Sequence, residues 1–343
     1  MARIDRTITA LPLISVKDLT CGDAAAARRV ADQIGRAACE FGFFRIVDHG
    51  IPPARIEAAY GAAMRFFALP DAEKRRYYIG HSTNHRGYVP FTEKGDYPDE
   101  VGRNYESFDL GLDLPPDDPD YLAGNRLLGP NVWPKVPQFR APVARYYASV
   151  AALGGTICAA LEMFLGLPAG AMSRHMTKPI SQLRLLHYVL GCEAPDRQSV
   201  NMGAHTDYEC LTLLHTPNPG LQVMTAADHW IDVPADPRVF VVNVGDMLEA
   251  WSNGILRSTP HRVMNLCPER YSMPFFVAAN HDTVIRPFPE LVAPGEAPKY
   301  APFLAGAHLQ RMLMRDFPYL RRHRGEAPAI VNPFEGRITG TGA

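Results

Sequence analysis

At residue 182 the spacing of apolar side chains changes. Before it, apolar residues recur at helical intervals; after it, they alternate. The segments QLRLLHYV, AHTDYECLTLLHT, GLQVM, HWIDVP, RVFVVNVGD, RSTPHRVMNL and RYSMPFFVAA follow one another with turns such as PNPG between them. A period of two marks strands with one face buried. Several short strands at this spacing point to a barrel or a sandwich.

The first half supplies helices. Asp23 stands where a helix N-cap belongs, ahead of Val30, Ile34, Ala38 and Phe41 at helical spacing, and Gly42 stops the run. FFRIVDHGIP (43–52) reads as a strand, and Pro52 and Pro53 open a second helix through Ile56, Tyr60, Ala63 and Phe67. LPDAEKRRY continues as helix, with Glu73 to Arg76 as a solvated face. NYESFDLG (104–111) is a strand in a region rich in Gly, Pro and Asp, and PPDDPD (115–120) is a surface loop. A long helix is expected over about 141–165 and another over about 301–317. Helices can cover the outside of a sheet, so the chain reads as a mainly β core with flanking helices in a single domain, 1–343. Within it, 1–140 holds the N-terminal helices, strands and pocket loops. Residues 141–281 hold the long helix and most of the strand core, and 282–343 a loop, helix and tail. Trp230 and Phe240 read as core.

The formal net charge is -1 and there is no basic stripe, which argues against a nucleic-acid partner. No run approaches about 20 consecutive apolar residues, so no membrane span is expected. The six cysteines form no CxxC pair and the N-terminus has no signal-peptide pattern. A cytoplasmic location with reduced thiols is the expectation.

Within GAHTDYECLTLL, His205 and Asp207 are separated by one residue, so on a strand both side chains would share a face. A lone His-x-Asp is often only a surface pair. His261, in the later strand segment STPHRVMN, offers a third ligand. Two histidines and one carboxylate form a facial triad that leaves open positions, the donor set of non-haem Fe(II) oxygenases. Shortly after His261, Arg270 and Ser272 fall on one face of a strand. An Arg fork matches a carboxylate, and the Ser hydroxyl adds a hydrogen bond. Period two also places Arg184, Leu186 and Tyr188 on one face. A buried Arg184 guanidinium then needs an anionic partner, either a substrate carboxylate or an internal Asp or Glu. Tyr105, Glu106, Asn84, Arg86 and Tyr88 are further pocket candidates, with loop packing as the alternative.

Taken together, FGFFRIVDHGIP, FFALPDAEKRRY, LRLLHY, HTDYECLTLL, GLQVM, VVNVGDMLEAWSNGILRSTPHRV and RYSMPFF resemble the 2-oxoglutarate- and Fe(II)-dependent oxygenases of the isopenicillin N synthase-like superfamily. The resemblance implies a double-stranded β-helix, or jelly-roll, barrel. It implies His205, Asp207 and His261 as Fe(II) ligands, and Arg270, Ser272 and Tyr188 as contacts of 2-oxoglutarate. The implied reaction is a dioxygenase one. Dioxygen and 2-oxoglutarate are consumed, succinate and CO2 are released, and an unactivated C–H bond of a small molecule is oxidised, by default hydroxylated. The carboxylate of Asp207 disfavours halogenation. Two alternatives remain open at this point. One is an oxoacid-independent Fe(II) oxidase of the isopenicillin N synthase type, which shares these motifs. The other is a non-catalytic metal-binding jelly-roll module. If Arg184 and Arg86 line the pocket, an anionic or amino-acid-like substrate follows.

Overall fold

Helix α1 (Ala24–Glu40) begins where the Asp23 carboxylate accepts hydrogen bonds from the amides of Ala25 and Ala26, at 2.9 and 3.1 Å. It stops before Gly42, whose φ of 68° is open to glycine at little cost. Helix α2 (Pro53–Phe67) starts on the Pro52–Pro53 pair. The short α3 (Asp71–Arg75) and α4 (Pro119–Leu122) follow, and then α5 (Arg140–Leu165). The computed structural model describes residues 10–93, 104–189, 196–322, 332 and 334; Cys192 and most of the expected C-terminal tail lie outside them. By length and composition α5 could cross a membrane, contrary to the reading of its sequence. Here it is the central core helix, with Val143, Tyr146, Val150, Ile157 and Leu161 buried and α1 and α2 packed on it. Its Phe164 ring occupies the space that a side chain at Gly35 of α1 would need.

Eight strands form the larger sheet: β1 (Leu13–Ser15), β2 (Phe43–Val47), β3 (Gly87–Val89), β4 (Tyr105–Gly111), β5 (Gln182–Val189), β7 (Leu211–His215), β10 (Phe240–Val244) and β12 (Glu269–Val277). Their order is β1-β2-β10-β7-β12-β5-β4-β3. The smaller sheet has the order β6-β11-β8-β9, with β6 (Asp196–His205), β8 (Leu221–Met224), β9 (Trp230–Asp232) and β11 (His261–Asn265). From β5 to β12 the chain passes back and forth between the sheets, which is the winding of a double-stranded β-helix. Strands β1 to β4 extend the larger sheet at both edges, so the first 140 residues share hydrogen bonds with the core. A ribbon of β13 (Val284–Ile285) and β14 (Phe303–Leu304) follows.

Alternation along each strand sorts its side chains. On β5, Leu183 and Leu185 join the apolar core under the helices, while Arg184, Leu186 and Tyr188 face the barrel interior. On β12, Tyr271, Met273 and Phe275 go to the core, and Arg270, Ser272 and Phe276 line the interior.

Some expectations need correction. HTDYECLTLL is not one strand: β6 ends at His205, residues 206–210 form a loop, and β7 starts at Leu211. The last helical segment is two helices, α7 (Ala305–Asp316) and α8 (Pro318–Arg322). Trp230 is half-buried, with the Arg262 guanidinium 4.2 Å from its ring centre, whereas Phe240 is core. Lys74 does not belong to a solvated face. It is buried, with its ammonium 2.6 Å from Glu106.

Candidate active site

His205, at the end of β6, sits directly opposite His261, at the start of β11, in the antiparallel ladder. Their ring centres are 4.3 Å apart. Each Nδ1 faces a backbone carbonyl, Gly203 O at 2.7 Å and Thr259 O at 3.4 Å. A carbonyl only accepts, so Nδ1 carries the hydrogen and Nε2 keeps its lone pair. Both Nε2 atoms face Asp207 Oδ1, at 3.8 and 3.6 Å. The three ligand atoms lie within 4.8 Å of one another, which fits a single metal ion. Burial, and then the neighbouring His205, push His261 down to about 4, so its ring is neutral and able to ligate. Burial alone would raise the Asp207 carboxyl. The two imidazoles and the hydrogen bonds from Asn243 and Thr212 outweigh it and hold the carboxyl below its ordinary value.

Asp207 reaches this point from a loop, so the same-face argument for a strand does not apply to it. Other contacts fix it. Thr212 Oγ1 and Asn243 Nδ2 donate to its Oδ2, the latter at 2.7 Å, which leaves Oδ1 for the metal. Its backbone carbonyl accepts from the amide of Asp246 at 2.8 Å, at the start of helix α6 (Asp246–Trp251). Gly245 allows this approach, because a Cβ there would overlap the carbonyl of Glu209. Gly245→Ala is therefore expected to cost about 1–3 kcal/mol of stability and to weaken metal binding. Thermal denaturation with and without Fe(II) checks this, and unchanged values would show that the loop gives way freely.

Arg270 is 3 % exposed. Its Nη1 donates to Ser272 Oγ at 3.1 Å, and the guanidinium lies 4.6 Å from the centre of the Tyr188 ring. Among the described residues its Nε has no hydrogen-bond partner, and no carboxylate pairs with this cation. A buried guanidinium without an anion is costly. The triad, Arg270, Ser272 and Tyr188 line one cavity. A small dicarboxylate fits both ends of it by charge, at the metal and at Arg270.

Comparison with known proteins gives the family. Residues 180–279 match the profile of the 2OG-Fe(II) oxygenase superfamily, and residues 11–136 match that of the non-haem dioxygenase in morphine synthesis N-terminal region. The chain belongs to the 2OG-Fe(II) oxygenase superfamily. The 2-oxoglutarate-dependent dioxygenase tropC of Talaromyces stipitatus is 34% identical over 271 residues, which cover 76% of this chain and 82% of that protein. Clavatol oxidase claD of Penicillium crustosum is 34% identical over 81% of this chain and 88% of its own. Among solved structures, a 2OG-Fe(II) oxygenase family protein from Caulobacter crescentus superposes with a TM-score of 0.79 at 31% identity, covering 90% of this chain and 99% of that one. T7H of Neurospora crassa in complex with alpha-KG also gives 0.79, at 27% identity, covering 90% and 97%. The protein is a 2-oxoglutarate-dependent dioxygenase with Fe(II), 2-oxoglutarate and dioxygen as its cofactor and co-substrates.

The remaining candidates in this oxygenase divide. Tyr105 lines the cavity, its ring 5.3 Å from that of Tyr188. Arg184 lines it too, but its partner is internal: Nε and Nη2 donate to the two oxygens of Asp109, both at 2.9 Å. Asp109 sits opposite Arg184 in the β4–β5 ladder. Glu106 alternates with Tyr105 and so points away from the cavity, where Lys74, Tyr88 and His187 hold it. Arg86 is fully buried and does not line the cavity. It donates to the carbonyls of Asn84, His85 and Leu127. Asn84 bonds to Pro130 O, a loop-packing role. The case for an anionic substrate therefore loses both of its arginines, one to Asp109 and one to backbone carbonyls.

Reading the sequence alone missed Asp109, Glu209, Asn243, Thr212, Leu313 and Phe317. Asp109 shares a strand face with Tyr105, and Glu209 follows Asp207 by two, so period and proximity were the available signals. Burial, and then the charge of Asp207, push the Glu209 carboxyl up to about 8. Leu313 and Phe317 come from the α7 segment, which covers one side of the cavity. Nothing in their local sequence announces that.

Proposed function

We propose that this oxygenase hydroxylates an unactivated C–H bond of a small molecule, with iron held by His205, Asp207 and His261 and 2-oxoglutarate anchored by Arg270, Ser272 and Tyr188. Iron with 2-oxoglutarate and dioxygen supplies an oxidant able to take hydrogen from such a bond, with succinate and CO2 as co-products. The protein's part is placement. Asn243 and Thr212 keep Asp207 turned toward the two imidazoles, and the Nδ1 hydrogen bonds keep both rings oriented. Arg270 and Ser272 receive the far carboxylate, and Tyr188 lies against the guanidinium. Leu214, Phe276, Leu313 and Phe317 exclude water from the substrate's side. The observation that carries this reading is the buried, unpaired Arg270 in the same cavity as the triad.

Proteins of this kind accept varied small molecules. T7H has been crystallised with 5-formyluracil, a rice relative oxidises auxin, and another rice relative is a homoarginine-6-hydroxylase. We place the protein in the cytoplasm, where reduced thiols persist; the five described cysteines are free. A compound screen read by succinate release and by mass change tests the reaction. The expected result is one succinate per product, a mass gain of one oxygen, and no turnover without 2-oxoglutarate. Full turnover without oxoacid and without succinate would instead support the oxidase alternative.

A further inference from the structure

We propose that Glu209 is a specificity-determining residue that binds an N–H group of the substrate. This rests on the oxygenase reading above and adds the chemistry of the molecule that is accepted. Glu209 is 4 % exposed and lines the cavity that holds the triad. Every other carboxyl of this region has a side-chain donor. Asp207 has Thr212 and Asn243, Asp109 has Arg184, and Asp316 has Tyr208 at 2.6 Å. Asp246 has Ser258 at 2.7 Å and Asn332 at 2.9 Å. Among the described residues no side chain donates to Glu209, and its carboxyl meets only its own backbone amide. The carboxyl therefore opens onto the cavity with acceptor capacity that no side chain uses.

The backbone keeps it there. The carbonyl of Glu209 accepts from the amide of Met247 at 3.2 Å, and the next amide, Cys210, donates to Val277 O at 2.8 Å. With Gly245 packed against the same carbonyl, the loop cannot carry the side chain out to water. Glu209 is also two residues from Asp207, so a group bound to it lies beside the metal site.

The surroundings select the donor. Asp207, Glu209 and Asp316 face the cavity, against Arg184 and Arg270. Arg184 is bound to Asp109, and Arg270 is reserved for the co-substrate. Asp316 is likewise matched by Arg315 and Tyr208, and Asp207 belongs to the metal triad, so Glu209 is the carboxyl left to receive a substrate group, and an N–H supplies the donor that no side chain gives it. Leu214, Phe276, Leu313 and Phe317 supply an apolar wall for the rest of the molecule. The substrate class is therefore an apolar-bodied amine, amide or lactam.

Matched fragments test this by replacing one N–H with oxygen: 2-piperidone against δ-valerolactone, and N-methylbenzamide against methyl benzoate. Each is titrated calorimetrically into the Fe(II)- and 2-oxoglutarate-loaded protein under nitrogen. The expected result is that at least one N–H member binds the wild type about tenfold more tightly than its oxygen partner, which corresponds to about 1.4 kcal/mol. Glu209→Leu should bring that ratio to near one, and Glu209→Gln, which keeps a carbonyl acceptor, should retain most of it. Iron content and 2-oxoglutarate affinity should stay unchanged in both variants. An unaltered ratio in Glu209→Leu, equal binding of both members to the wild type, or no binding of any N–H member would overturn the proposal. A wild type that fails to bind iron or 2-oxoglutarate would instead overturn the cofactor assignment beneath it.

Discussion

His261→Ala should yield a folded protein that retains almost no iron and has no measurable oxygenase turnover. The expected loss in metal affinity exceeds the roughly 10–100-fold that removing a supporting hydrogen bond costs, because here a ligand itself is removed. Folding should survive for a physical reason. His261 starts β11 and pairs through its backbone with His205 and Val223, and alanine keeps those hydrogen bonds. Its side chain faces the metal cavity and touches the Phe43 ring edge-on at 5.3 Å. What is lost are its contacts with Phe43, His205 and Asp207 on a polar cavity wall. In the metal-free protein, removing His261 also leaves Asp207 with one imidazole in place of two. Its carboxyl should then titrate higher, toward the range that burial imposes. Iron content after anaerobic reconstitution, with circular dichroism as the folding control, checks the outcome. Wild-type stoichiometry and affinity in this variant would remove His261 from the ligand set.

The triad shows what was legible in the sequence and what was not. The three candidate ligands could be picked out because their residue types are rare together and two of them lie on strands with a clear period, and the structure brings them together. The reason they meet was legible only in part. Asp207 was expected on a strand, yet it sits in a loop whose position depends on Gly245, Thr212 and Asn243. Those contacts come from β7, β10 and the start of α6, and no local pattern encodes which loop they will hold. Arg184 makes the same point. Period two put it inside the barrel and burial demanded an anion, but the choice between substrate and protein depended on register. The β4–β5 ladder sets Asp109 opposite Arg184, and a shift by one residue would have presented Phe108 or Leu110 instead. Glu106 and Tyr105 are neighbours in sequence and point to opposite faces of β4, so offering both to one pocket could not hold. That Arg270 and Ser272 face the interior together was readable because both lie on one strand, two residues apart.

Arg270→Leu should raise the 2-oxoglutarate requirement by about tenfold to a hundredfold, with iron binding intact. The guanidinium bonds Ser272 and rests on Tyr188, and among the described residues no carboxylate pairs with it. A charge-assisted bond to the far carboxylate of the co-substrate contributes roughly 1.5–3 kcal/mol, which sets that range. The stability response separates this role from a structural one. In the protein without 2-oxoglutarate, Arg270 is a buried cation lacking an anion, so leucine should leave the melting temperature unchanged or raise it. In the wild type, 2-oxoglutarate binds the folded state and should raise the melting temperature with concentration. The variant should lose most of that rise while still responding to Fe(II), because the triad is untouched. Thermal melts across a 2-oxoglutarate series, under nitrogen and with iron present, give both signs in one experiment. A variant that melts far below the wild type and still gains the full increment from 2-oxoglutarate would assign Arg270 to the fold. An undiminished increment with loss of substrate turnover would assign it to the substrate, as the oxidase alternative requires.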